Sequence, residues 1–229
     1  ATGNGTLQDR LASFSSRGPT QDGRRKPTVM APGELVTSSI GSTRYTYAAY
    51  SGTSMSTPAA AGALALVREY LTKGWYPTGA PVPANAFVPS AALLRAMAVS
   101  SGRSDVVGFR VPDNTIGYGR MTIDDVLYFP RDSSPKMLVD TRDGLSNQQF
   151  AEYQVNVTNP ARPLKIALCW TDYPGNPASA VQIVNDLDLV VTQGGNTYRG
   201  NYLLNYVSAA GGTRDSLNVE EMVGVATPP

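Results

Sequence analysis

Around residue 54 the chain reads Ser51-Gly52-Thr53-Ser54-Met55-Ser56-Thr57-Pro58, a cluster of hydroxyls beside a glycine at the head of a long apolar run. Glycine leaves room for a ligand's backbone, and the unpaired N–H groups at a helix start favour negative charge developing on a carbonyl oxygen. A hydroxyl placed there suits acyl transfer. On local chemistry alone Thr53 and Ser54 read as helix caps, the commoner role of such residues, and the two readings stay open at this level. Acyl transfer also needs a proton acceptor, and the 229 residues contain no histidine. Any imidazole base must therefore come from outside this chain.

The charge balance narrows the remaining classes. With 19 basic and 18 acidic side chains the net charge is +1, which argues against a nucleic-acid footprint or an anionic-membrane role. One cysteine cannot form an internal disulfide, and without histidine it cannot build the usual zinc site. At 41% hydrophobic and 16% charged, the chain has the composition of a folded protein. It holds no apolar run long enough to span a bilayer, and its first residues lack the basic start and apolar stretch of a signal peptide. Both ends read as cuts within a longer protein.

The elements that must position the hydroxyls fall into two textures. Three helices are expected in the first part. One begins at Thr53 or Ser54 and runs through Pro58 to Tyr70; it is uncharged from Met55 to Val67 and rich in alanine, which predicts a buried helix pressed against neighbours. A second follows Pro89 with Ser90 as its cap and Leu93, Leu94, Met97 and Ala98 on one face. A short third starts after Thr122. Prolines and polar residues around position 135 then break every period. Beyond them the period becomes two, in Tyr153-Val155-Val157, in Leu164-Ile166-Leu168-Trp170 and in Ile183-Leu187-Leu189-Val191. Gln193-Gly194-Gly195-Asn196 offers a hairpin turn, with further strands around Tyr202 to Tyr206 and Val219 to Val225. The periods predict a helix-bearing part at residues 1–135 and an all-β antiparallel sandwich at 136–229.

Three separated motifs then carry a resemblance: ASFSSRGPT at 12–20, MAPG at 30–33 and GTSMSTP at 52–58. In this order they resemble the subtilisin-like serine proteases, the subtilases, with residues 1 to about 130 similar to the back part of the catalytic domain; the resemblance implies an α/β fold with an incomplete parallel sheet at 1–135, and a β domain at 136–229 truncated at its C-terminus. PLKIALCWTD at 163–172 and VNDLDLVV at 184–191 resemble the jelly-roll domain that some secreted members carry after it. The resemblance implies Ser54 as the nucleophile, with its own backbone N–H donating to the oxyanion. It implies a triad aspartate and histidine, and an oxyanion asparagine, in a segment upstream of Ala1. Asn4 reads as a turn residue rather than that asparagine, and the motifs at 13–19 and 31–33 as structural. Two positions depart from the family: Ala59 stands where many members have a histidine outside the triad, and Thr28 where an aspartate commonly precedes the MAPG turn.

The implied protein is a secreted endopeptidase acting on polypeptides through an acyl-enzyme, inactive as this chain alone, with no cofactor required for chemistry. Secreted members often bind calcium, which brings Asp186 and Asp188, beside Asn185, into view as a structural calcium site; two carboxylates on one strand face are not a cage, and a solvated outer face is the plainer reading. Cys169 reads as an inert small hydrophobe. The alternative from another class is a non-catalytic subtilase-like scaffold whose β-sandwich binds a partner or polysaccharide.

Overall fold

A computed structural model describes residues 9–41, 44–130, 132, 135–226 and 228. The first ladder is the antiparallel pair β1 (Val36–Ser39) and β2 (Tyr47–Tyr50), which delivers the chain to the long helix α1 (Thr53–Thr72). Alanine and leucine hold α1 together by propensity. Its end is set by Gly74, which takes a left-handed φ of 72° while Trp75 N–H reaches back to Tyr70 O and Gly74 N–H to Leu71 O, a paired closure of the last turn.

Helix α2 (Ala91–Ser100) begins where the sequence places it, since Ser90 accepts from Leu93 N–H at 3.0 Å. The short pair β3 (Gly102–Arg103) and β4 (Arg120–Met121) follows, then a single 3-10 turn at Ile123–Asp125 where a third helix is expected.

After residue 135 the described chain has no helix. It holds β5 (Leu164–Cys169), β6 (Val190–Gln193), β7 (Asn196–Arg199), β8 (Leu203–Leu204), β9 (Val207–Ser208) and β10 (Glu220–Val225). All the paired strands are antiparallel: β5 with β10, β6 with β7 and β8 with β9. The β6–β7 hairpin turns on Gly194 and Gly195, both with positive φ, as a two-residue connection requires. The architecture is thus a helix-containing first part followed by a β-only region of two-stranded ladders, and among the described residues no barrel closes. Among the described residues parallel pairing is limited to isolated bridges, Met30 with Arg120 and Tyr198 with Gly211.

Two of the expected strands do not form as predicted. Residues 151–157 alternate but form no strand; Tyr153 is 50% exposed, and no neighbouring segment supplies the ladder that would satisfy their backbone. The run 183–191 is extended only at its end, in β6.

The core joins the two textures. Met30, Val99, Val106, Val111, Ile116 and Tyr118 pack in one cluster with Cys169, Tyr206 and Met222, and α2 lies against β5 and β10. A second cluster holds Val67, Tyr70 and Leu71 of α1 against Leu93 and Met97 of α2. Only this last stretch of α1 is buried. Ala59, Ala61, Gly62 and Ala65 are exposed, and Leu66 is 56% exposed, so the helix predicted to be buried presents most of its small apolar face uncovered.

Candidate active site

The head of α1 is held by a neighbouring segment rather than by its own side chains. Gly52, in extended backbone, is the residue before the helix, and no side chain caps the first turn; the caps expected at Thr53 and Ser54 do not form because both residues already lie inside the helix. Two other bonds fix the turn. Gly52 N–H donates to Gly33 O at 2.7 Å, and Ser56 Oγ donates to Ala31 O at 2.7 Å. Ser51 Oγ accepts from Leu35 N–H at 2.9 Å, next to a left-handed φ of 51° at Leu35. The motifs at 30–33 and 51–58 therefore meet in space.

Ser54 is the second residue of α1, exposed, and its hydroxyl makes no hydrogen bond among the described residues. Its N–H belongs to the first turn, where no preceding helical carbonyl is available, and no acidic side chain sits in that turn to offset the partial positive charge. Pro58 lies inside the helix and has no N–H to offer the Ser54 carbonyl four residues back. The arrangement can present a nucleophilic oxygen and an anion-favouring backbone to a substrate carbonyl. It holds no imidazole to act as general base, since there is no histidine in the chain.

The other sequence candidates separate. The loop at 12–20 is pinned by Gly18 N–H, which lies 2.9 Å from Lys26 O and 2.7 Å from Asn114 O, in keeping with a structural role. Asn4 lies outside the described residues. Asp188 is paired with Arg214 at 3.3 Å, and burial followed by the nearby Asp188 pushes the Asp186 carboxyl above its ordinary range. Among the described residues no group of three or more acidic or sulfur ligands is gathered for a metal ion. Cys169 packs in the core, and burial raises its thiol to about 12, so it is not a nucleophile near neutral pH.

Sequence reasoning missed the polar knot between the two textures. Glu220 sits beside Lys26, Thr28 and Arg95, and Tyr118 Oη lies 2.7 Å from Asn201 Oδ1 and 2.9 Å from Glu220 O while accepting from Arg25 Nη1 at 3.0 Å. The signal was present as two adjacent glutamates, Glu220 and Glu221, opening a strand otherwise apolar.

With that geometry in place the comparisons are decisive for the family. The model of the subtilase family matches residues 1–119, just over half of the chain. The chain belongs to the subtilase family. This subtilase is 28% identical over an aligned length of 259 residues to the serine protease/ABC transporter B family protein tagD of Dictyostelium discoideum, covering 84% of the chain and 14% of that protein. It is 36% identical over 110 residues to tagB of the same organism, covering 42% of the chain and 6% of tagB, and 43% identical over 81 residues to the C5a peptidase of Streptococcus pyogenes, covering 35% and 6%. The subtilase chain thus spans about a seventh of tagD and less of the others. None of its described helices is long and apolar enough to cross a membrane.

Proposed function

We propose that the chain is the nucleophile-bearing portion of a serine endopeptidase, with Ser54 as the nucleophile and its backbone N–H as one oxyanion donor. The observation that carries this reading is the exposed Ser54 hydroxyl at the head of α1, without a hydrogen-bond partner among the described residues, in a turn held by Gly33 and Ala31. Ser54 Oγ attacks the carbonyl carbon of a peptide bond. An imidazole takes its proton and returns it to the leaving amine, and water then hydrolyses the ester.

The imidazole, the aspartate that orients it and the second oxyanion donor, an asparagine, come in this reading from an upstream segment of the same protease. The uncovered apolar face of α1 supports such a partner, because small side chains of this kind suit close packing against further elements. The first part is read as the incomplete parallel-sheet catalytic domain at 1–135, and 136–229 as an incomplete jelly-roll. Secretion and polypeptide substrates follow from the same reading. No cofactor is needed for the chemistry, and a structural calcium ion at Asp186 and Asp188 would need oxygens beyond those two.

The test is covalent labelling with a fluorophosphonate. The full-length protein should be labelled, its Ser54→Ala variant should not, and residues 1–229 alone should react at no more than a trace rate. Equal labelling of the full-length protein and the Ser54→Ala variant removes Ser54 from the reaction.

A further inference from the structure

Strand β10 opens with a carboxylate in a buried place. Glu220 is 4% exposed, and its Oε1 faces cations and a hydroxyl from two other parts of the chain: Lys26 Nζ at 3.3 Å, Thr28 Oγ1 at 3.3 Å and Arg95 Nη1 of α2 at 3.9 Å. Lys26 Nζ donates to Thr28 Oγ1 as well, at 3.0 Å. A carboxylate buried without such partners would be costly, so the contact is specified from both sides.

Thr28 begins the segment that holds α1. Its carbonyl accepts from Tyr118 N–H at 2.8 Å. Two residues on, Met30 N–H donates to Gly119 O and Met30 O accepts from Met121 N–H, each at 2.9 Å. Immediately after come Ala31 and Gly33, whose carbonyls receive Ser56 Oγ and Gly52 N–H. Ser54 lies between those two tethered residues. Where the 28–33 segment sits therefore decides where the Ser54 hydroxyl sits, and Glu220 is the charged group that ties the start of this segment to the β-only region, beside the apolar cluster that Met30 shares with Met222.

We infer that Glu220 is a positioning residue for Ser54: its carboxylate fixes Lys26 and Thr28, and through them the carbonyls that hold the first turn of α1. The inference rests on the reading of Ser54 as the nucleophile and goes beyond it by giving the C-terminal β-region a part in the reaction itself. It also accounts for Thr28. Thr28 Oγ1 donates to Glu220 Oε1 at 3.3 Å, so the hydroxyl at position 28 meets a carboxylate carried by β10.

The experiment uses the full-length protease with Glu220→Ala, Glu220→Gln, and the double variant Thr28→Asp with Glu220→Gln, each assayed well below its own Tm. The readouts are kcat and KM on a peptide substrate and the second-order rate of fluorophosphonate labelling. Removing the carboxylate should lower kcat and the labelling rate about 10- to 100-fold, the loss that follows a small misplacement of a reacting group. KM should stay within about twofold, because a side chain as buried as Glu220 presents almost no surface for a substrate to touch. The double variant should recover much of the loss, since an acid returned at position 28 again meets Lys26. Wild-type labelling rates in the folded Glu220→Ala and Glu220→Gln proteins, a change confined to KM, or a loss that merely tracks the unfolded fraction would each overturn the inference. Should Glu220→Ala not fold, Glu220→Gln decides by the same criteria. A wild-type protein that takes no label, or a Ser54→Ala variant labelled as fast as wild type, removes the nucleophile and this inference with it, and is distinguishable because it appears before Glu220 is altered.

Discussion

Ser56 Oγ donates to the carbonyl of Ala31 across 2.7 Å, and this bond joins the serine-bearing turn of α1 to a buried segment more than twenty residues earlier in the chain. It replaces the side-chain cap that the helix lacks. Ser56→Ala leaves the Ala31 carbonyl, in a buried residue, without that donor, and should cost about 1 kcal/mol of stability. Denaturant unfolding measures that loss; a variant as stable as wild type would show that the bond contributes nothing to the fold.

Tyr118 carries a second joint. Burial pushes its hydroxyl far above the ordinary tyrosine range, so it stays protonated and bonded among Arg25, Asn201 and the Glu220 carbonyl. Tyr118→Phe keeps the ring in the core and strands those polar groups, which should cost about 1–3 kcal/mol. Urea unfolding by two probes, one in each half, should give coincident transitions that shift together.

At the end of α1, Gly74 holds its left-handed backbone beside the Val82 carbonyl and the Ala86 N–H, with no room for a methyl group. Gly74→Ala should destabilise by more than about 1 kcal/mol, read as a lowered Tm. An unchanged Tm would mean that the turn relaxes freely.

Glu221 gives the fold a dependence on pH. It is 1% exposed; burial raises its carboxyl from 4.5 to about 8, against the opposing hydrogen bond that its Oε2 accepts from Leu189 N–H, while among the described residues Oε1 has no hydrogen-bond partner. A folded-state pKa above the ordinary value means the folded protein holds this proton more tightly than the unfolded chain does. The associated stability is full below 4.5 and is lost as pH rises through about 8. Unfolding free energies taken at about pH 5 and about pH 9 should therefore differ, and Glu221→Gln should flatten that difference. A Gln variant with the wild-type slope would assign the pH dependence to other groups.

Much of this was legible one element at a time. The Ser90 cap, the glycine pair at 194–195 and the strand β5 each rest on chemistry local to a few residues and appear where the sequence places them, but β5 does not alternate in burial: Ala167 and Cys169, expected on its outer face, are the residues that meet the core. What failed depends on partners that local patterns do not name. Tyr153, Val155 and Val157 have the rhythm of a strand and no ladder to join. The alanines of α1 have the composition of a buried helix and only a short covered stretch. Of the candidate site, the helix that opens at the 51–58 motif was legible, with Ser54 in its first turn. The Glu220 contact was not, because it links positions nearly two hundred residues apart and no spacing rule reaches that far.

That distance matters for how the chain matures. All six residues of β10 are buried, and Met222 shares a cluster with Met30 and Val99. Contacts of such long separation form late in folding, after the entropy of closing a large loop has been met. During synthesis the early hydrophobic face around Met30 must wait, without its cover, until residue 225 has left the ribosome.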